Sequence, residues 1–173
     1  MRNILLTGKP GVGKTTLILK VLGSPNLDAR GFYTREIRKG NVRLGFELVE
    51  IGGSRRDVFA HIGFEKIHRV GKYGVDISVL EEIGAEAIKK GIEEKSLIVI
   101  DEIGKMELYS KRFREAVTLA LNSSSPVLAT ITMSPLPFVK DIKQRKDVSI
   151  LEVTRNNRDE LLRKLIKKLE GLK

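Results

Sequence analysis

The chain has 173 residues, 41% of them hydrophobic and 31% charged, with no cysteine and no tryptophan. No apolar stretch approaches the roughly eighteen residues of a membrane span, and without cysteine neither a disulfide frame nor a thiolate metal site can form. Thirty-two basic residues against twenty-two acidic ones give a net charge of +10, which favours polyanions such as a nucleoside triphosphate, RNA or DNA. Much of that excess falls on helices as ordinary solvated pairs, Arg163-Lys164 and Lys167-Lys168 among them. No aromatic-interleaved basic patch accompanies it, so nucleic acid is the less favoured partner. The length suits one domain over residues 1–173. The apolar run after Arg2 is too short for a signal peptide, and cytoplasmic residence is the simplest expectation. The highly charged, cysteine-free composition also fits a heat-adapted protein.

In chain order, Ile4-Leu5-Leu6 predicts a short strand. Behind it stands Gly8-Lys9-Pro10-Gly11-Val12-Gly13-Lys14-Thr15, which matches the phosphate-binding loop G-x-x-x-x-G-K-[ST] in its required strand-to-helix setting. Its glycines let successive N–H groups converge on phosphate oxygens, and the helix from Thr15 to about Leu22 adds the positive end of its dipole. Lys14 reaches the β- and γ-phosphates in such loops, and the Thr15 hydroxyl completes a Mg²⁺ shell. Gly31-Phe32-Tyr33-Thr34 begins a second strand. Phe32 to Arg38 and Val42 to Ile51 then read as a β-hairpin about Lys39-Gly40-Asn41, polar enough to lie at an edge or protrude. From Gly52 to about Tyr73 the pattern is ambiguous. Ile77, Leu80, Gly84, Ala87 and Ile88 recur at helical spacing and predict a helix from Asp76 or Ser78 to Glu94.

Leu97-Ile98-Val99-Ile100 is a continuous apolar run, as a central parallel strand buried on both faces requires. A helix from about Lys111 to Leu121, a strand Val127 to Ile131 and a strand Ser149 to Val153 follow. The last helix carries Leu161, Leu162, Leu165, Ile166 and Leu169, with Asn157 and Glu160 placed for a capping box. Alternating strands and helices of this kind predict an α/β domain with a mainly parallel sheet covered on both sides.

The chemistry beyond binding rests on Asp101-Glu102, directly after the buried strand. An Asp at such a strand end holds Mg²⁺ through its water shell, facing the Thr15 hydroxyl. The adjoining Glu102 is placed to orient or deprotonate an attacking water. Thr130 and Thr132 suit contact with that water or the γ-phosphate, though β-branched residues also simply suit a strand. Lys105, Arg112 and Arg114 are candidates for stabilising charge on the γ-phosphoryl group, against solvated helix charge as the plainer reading. His61 and His68 have no metal-ligand spacing. Gly71-Lys72-Tyr73-Gly74 reads equally as a phosphate-side loop or a turn. Two other functions stay open on these residues: a small nucleoside or nucleotide kinase, and a nucleic-acid-stimulated regulatory ATPase.

The phosphate loop, Gly31-Phe32-Tyr33-Thr34, Gly45-Phe46, Val70-Gly71-Lys72-Tyr73, Asn157-Arg158-Asp159-Glu160-Leu161 and above all Asp101-Glu102-Ile103-Gly104-Lys105-Met106-Glu107-Leu108 resemble the small thermophile-type nucleoside-triphosphatases, which have a cancer-related vertebrate relative. The resemblance spans nearly the whole chain. It implies a three-layer phosphate-loop NTPase of the additional-strand, catalytic-Glu class, with five parallel strands and an appended hairpin. It further implies Mg²⁺-dependent hydrolysis of ATP, GTP and other nucleoside triphosphates to diphosphate and phosphate, with broad base tolerance. Carried over, the first nucleotide segment is Gly8, Lys9, Pro10, Gly11, Val12, Gly13, Lys14 and Thr15 with the adjoining Thr16. The second is Ile98, Val99, Ile100, Asp101, Glu102, Ile103, Gly104 and Lys105. Glu102 and Lys14 are the catalytic positions, Thr15 and Asp101 the metal positions, and Asn157-Arg158 lie where the chain approaches base or ribose. Met133-Ser134-Pro135-Leu136-Pro137 departs from expectation, being apolar where a basic loop would face the γ-phosphate.

Overall fold

The computed structural model describes residues 1–172. Among them, nine strands form one sheet in the order β5-β6-β4-β3-β2-β7-β8-β1-β9. The strands are β1 (Asn3–Thr7), β2 (Ala29–Lys39), β3 (Val42–Ile51), β4 (Arg56–His61), β5 (Arg69–Val70), β6 (Tyr73–Val75), β7 (Leu97–Ile103), β8 (Val127–Ile131) and β9 (Val148–Glu152). From β2 to β9 every neighbouring pair is parallel, and from β2 to β5 every pair is antiparallel. β8 is inserted between β1 and β7, the arrangement expected of the additional-strand class.

Alternation along the parallel strands sends side chains to two cores. Ile4 and Leu6 of β1, Val99 of β7 and Leu128 of β8 face one side with Leu17, Ile18 and Val21 of α1 (Lys14–Leu22) and Leu165 and Leu169 of α6 (Arg158–Glu170). Leu5, Ile98, Ile100 and Ala129 face the other. There they meet α2 (Ile77–Val79), α3 (Glu86–Glu93), α4 (Lys111–Asn122) and α5 (Pro137–Lys143). Because both faces are covered, these strands read in sequence as unbroken apolar runs.

α2 and α3 are joined by a π-helical turn, Leu80–Ala85, making the one long amphipathic segment that the spacing predicts. Gly31 has φ +121°, and a side chain there would collide with the Val99 carbonyl of β7. Glycine therefore permits the close pairing that joins the hairpin to the parallel strands.

Two sequence expectations are corrected, one open alternative is decided and one helix is added. The β2–β3 hairpin is not at an edge: β4, β6 and β5 continue the sheet beyond it through the stretch that read ambiguously. Gly71-Lys72-Tyr73-Gly74 turns between β5 and β6 at that outer edge, with β4, β3, β2, β7 and β8 between it and the phosphate-loop strand, so it is no phosphate-side loop. No capping box forms on α6, because the Asn157 side chain accepts from Thr154 N–H at 2.8 Å and donates to the Glu152 carbonyl at 2.8 Å, while Glu160 pairs with Lys164. Finally, the proline-rich stretch leads into α5, whose first turn starts on Pro137, a residue with the φ and the missing N–H that a helix start accepts.

Candidate active site

Lys14 and Thr15 of the first motif and Asp101 and Glu102 of the second come together at the C-terminal ends of β1 and β7, with Thr130 of β8 beside them. The loop between β1 and α1 turns on Gly11 (φ +74°) and Gly13 (φ +101°), conformations that side-chain-bearing residues rarely adopt. Gly13 is the N-cap of α1, so the first free N–H groups of that helix open onto the loop. The Lys14 ammonium arcs back over the loop, donating to the carbonyls of Gly8 at 2.9 Å and Lys9 at 3.3 Å.

β7 does not end at Ile100. It runs on through Asp101 and Glu102 to Ile103, with a cis peptide between Asp101 and Glu102. Ile98, Val99 and Ile100 are wholly buried in the two cores, so they carry the acidic pair to the strand end and do not themselves face a ligand. Asp101 is 2% exposed and held from two sides: Thr15 donates to its Oδ2 at 2.6 Å and Thr130 to its Oδ1 at 2.5 Å. Burial raises its pKa, opposed by these hydroxyl bonds and by the Lys14 charge. Glu102 is also raised, first by burial and then by the Asp101 carboxylate, again opposed by Lys14.

This arrangement is one cation above a pair of carboxylates, next to a cradle of main-chain donors. It can bind a phosphate chain, seat a hard divalent cation against Thr15 and Asp101, and hold a water on Glu102.

The other candidates sort cleanly. Thr130 is not free for water or phosphate, because its hydroxyl is committed to Asp101. The Thr132 hydroxyl accepts from Ser134 N–H at 3.2 Å, and its carbonyl takes the Lys143 ammonium at 2.9 Å. Arg112 pairs with Glu86 at 2.8 Å and Glu81 at 4.0 Å, Arg114 donates to the Leu108 carbonyl, and Lys105 is exposed. Neither arginine is brought to the phosphate loop. His68 stacks on Tyr109 at 4.7 Å and His61 accepts from Gly63 N–H, both as unremarkable packing.

One contact and one burial went unread in the sequence. Thr130 sits 29 residues from Asp101, and only the β7–β8 pairing shows that they meet. Glu107 is 6% exposed although flanked by Met106 and Leu108, a context that gives no outward sign of a buried acid. Arg158, whose neighbourhood was marked for base or ribose, lies against the phosphate loop and donates to the Val12 carbonyl at 3.3 Å. Beside it, Gly13, Thr16, Leu17, Lys20, Asp159 and Leu162 line a small pocket.

A family model described as NTPase matches residues 3–166 of this chain. The nucleoside-triphosphatase THEP1 of Thermotoga maritima is 46% identical over 167 residues, covering 96% of this chain and 95% of that protein. The chain belongs to this nucleoside-triphosphatase family. Solved relatives share the architecture of the family. The crystal structure of THEP1 from the hyperthermophile Aquifex aeolicus superposes with a TM-score of 0.86 at 35% identity, covering 97% of this chain and 99% of that one. The solution structure of a human cancer-related nucleoside triphosphatase superposes with 0.83 at 37% identity, covering 99% and 98%. The five parallel strands that the resemblance implies are β2, β7, β8, β1 and β9, and together with the antiparallel extension they form the family fold.

Proposed function

We propose that this protein is a Mg²⁺-dependent nucleoside-triphosphatase that splits the terminal anhydride of ATP, GTP and other nucleoside triphosphates into diphosphate and phosphate. The observation that carries this reading is the acidic pair itself. One carboxylate, Asp101, is locked by two hydroxyls beside the phosphate loop, while the next, Glu102, has no such partner and adjoins it. Family membership supports hydrolysis as the reaction class.

The residues fit magnesium rather than a softer metal. Among the described residues no cluster of three or more His, Cys, Asp or Glu forms a metal cage. Mg²⁺ in phosphate sites characteristically uses one or two protein oxygens, with water and phosphate oxygens filling the rest. Thr15 and Asp101, already in contact at 2.6 Å, are that oxygen set. When bound there, the ion neutralises charge on the β- and γ-oxygens. Lys14 and the loop N–H groups from Gly8 to Thr16 orient the phosphates, and Glu102 takes the proton of the attacking water. Base tolerance follows from the same geometry, since the loop grips phosphates and reads nothing on the base.

The test is a steady-state comparison of ATP, GTP, CTP and UTP with and without chelator, and with and without nucleosides or monophosphates as acceptors. Phosphate release from all four, abolished by chelator and unaffected by acceptors, is the expected result. Acceptor-dependent transfer exceeding phosphate release would overturn it in favour of a kinase.

A further inference from the structure

The segment Asp101 to Leu108 holds a third carboxyl with no role in the reading above. Glu107 opens a 3-10 turn, Glu107–Tyr109, just past the end of β7, and is nearly sealed from solvent. The main-chain N–H groups of Gly104 and of Glu107 itself favour its ionised form. Burial drives its pKa well above the usual carboxylate range, and the charge of Glu102 drives it further.

Gly104 shows how near the two glutamates are. A methyl group on its Cα would press into Glu102, reaching the Cγ at 2.9 Å, and would stand 3.0 Å from Glu107 Oε2. The space of one absent side chain therefore separates the two carboxyl groups. Gly104 lacks positive φ, so what selects glycine there is this room and not backbone conformation.

We infer that Glu107 is a positioning residue: packed across Gly104 from Glu102, it fixes where the Glu102 carboxyl stands, and it acts only through Glu102. The inference rests on the reading of Glu102 as the group that holds the attacking water. In it, Glu107 touches neither nucleotide nor metal, and the Asp101–Glu102–Gly104–Glu107 run is one device in which the second acid sets the aim of the first. Displacing a reacting group by about an ångström can cost roughly a hundredfold in rate, so a wall of this kind matters far from the phosphates.

The experiment measures turnover and triphosphate affinity for Glu107→Ala, Glu107→Gln, Gly104→Ala and Glu102→Gln, each checked for native circular dichroism. Glu107→Ala is expected to lose about ten- to a hundredfold in kcat, the cost of a misplaced base, with affinity within about twofold. Glu107→Gln, which keeps the shape of the side chain and so its packing across Gly104, is expected to recover most of that loss. Should the alanine variant not fold, Gly104→Ala decides alone: its methyl displaces Glu102 with Glu107 in place and lowers kcat without loss of affinity. Wild-type kcat in folded Glu107→Ala or in Gly104→Ala overturns the inference, as does a glutamine variant as slow as the alanine one. If Glu102→Gln is inactive while Glu107→Ala is fully active, only the positioning role falls. If Glu102→Gln itself turns over normally, the reading of Glu102 falls with it.

Discussion

The antiparallel strands and the C-terminal ends of β1, β7 and β8 treat the same residue type in opposite ways. In the antiparallel half, carboxylates are held by arginines and their pKa values are pulled down: Glu36 by Arg43 and Arg38, Glu50 by Arg55. In the parallel half, Asp101, Glu102 and Glu107 carry no such clamp, and burial pushes all three up. The cause is position. β3, β4, β5 and β6 lie at the open side of the sheet, where exposed arginines on the polar face can reach across to acids, as Arg35 does to Glu47 and Arg43 to Glu36. At the ends of β1 and β7 the cation that acts on Asp101 and Glu102 is Lys14, bonded to carbonyls of its own loop. An acid satisfied by an arginine is scaffold. An acid left without an arginine keeps its affinity for a metal ion or a proton.

The largest expected effect breaks the comparison on its reactive side. Glu102→Gln should reduce turnover by about 10²–10⁴-fold, the usual contribution of a general base, while triphosphate affinity is retained. Single-turnover hydrolysis alongside equilibrium nucleotide titration checks it. Lys14→Ala should differ in kind, losing affinity as well as rate, because the ammonium serves ground state and transition state alike. A Glu102→Gln enzyme of normal speed would show that the unclamped acid is not the reactive one.

The middle effect sharpens the scaffold side. Glu50 is buried and accepts from Arg55 at N, Nε and Nη2 (3.2, 3.0 and 2.8 Å), while Arg55 is half-exposed. Glu50→Gln should cost about 1 kcal/mol of stability at neutral pH, the lower end for a charge-assisted bond because the arginine is partly screened by water. The sign with pH is fixed by the lowered pKa. The stabilisation is complete above the ordinary glutamate value of 4.5 and fades as pH drops through the lower folded-state pKa. Urea melts of the two proteins at pH 7 and across the acid range should therefore differ and then converge, with turnover at pH 7 equal. A turnover defect in Glu50→Gln comparable to that of Glu102→Gln would erase the division between the halves.

The same contrast explains what could be read from sequence. The parallel half announced itself, because strands buried on both faces become runs such as Leu97 to Ile100 and because the phosphate loop is a contiguous motif. Asp101 and Glu102 were legible for the same reason: they stand where such a run ends. The antiparallel extension was not. β5 and β6 span Arg69–Val70 and Tyr73–Val75, too short to show alternation, and register shifts interrupt both β2–β3 and β3–β4. α5 was hidden by prolines that stop a helix when internal but start one at its first turn. Thr130 could be seen as polar but not as the partner of Asp101, since that contact exists only once β8 slides between β1 and β7. Glu107 was obscured by chemistry: an acid between two apolar residues reads as a solvated position unless a second carboxyl is known to lie against it.

The smallest expected effect tests how far the parallel half extends its grip, from phosphates to the rest of the nucleotide. Arg158 opens α6, lies on Gly13 and Val12, and forms one wall of the pocket that Thr16, Leu17 and Lys20 of α1 complete. A guanidinium there can lie flat on a base, an attraction to the π-face that every base offers. Arg158→Ala should then weaken binding by about two- to fivefold, the equivalent of roughly 0.5–1 kcal/mol for a partly exposed cation–π contact. The loss should be the same for ATP, GTP, CTP and UTP, because a stacked arginine reads a face and not an edge. Titration of the four triphosphates against both proteins measures it. A loss confined to one base would mean that Arg158 reads hydrogen-bonding edges, and the broad base tolerance proposed above would then have to give way to a preference set at this pocket.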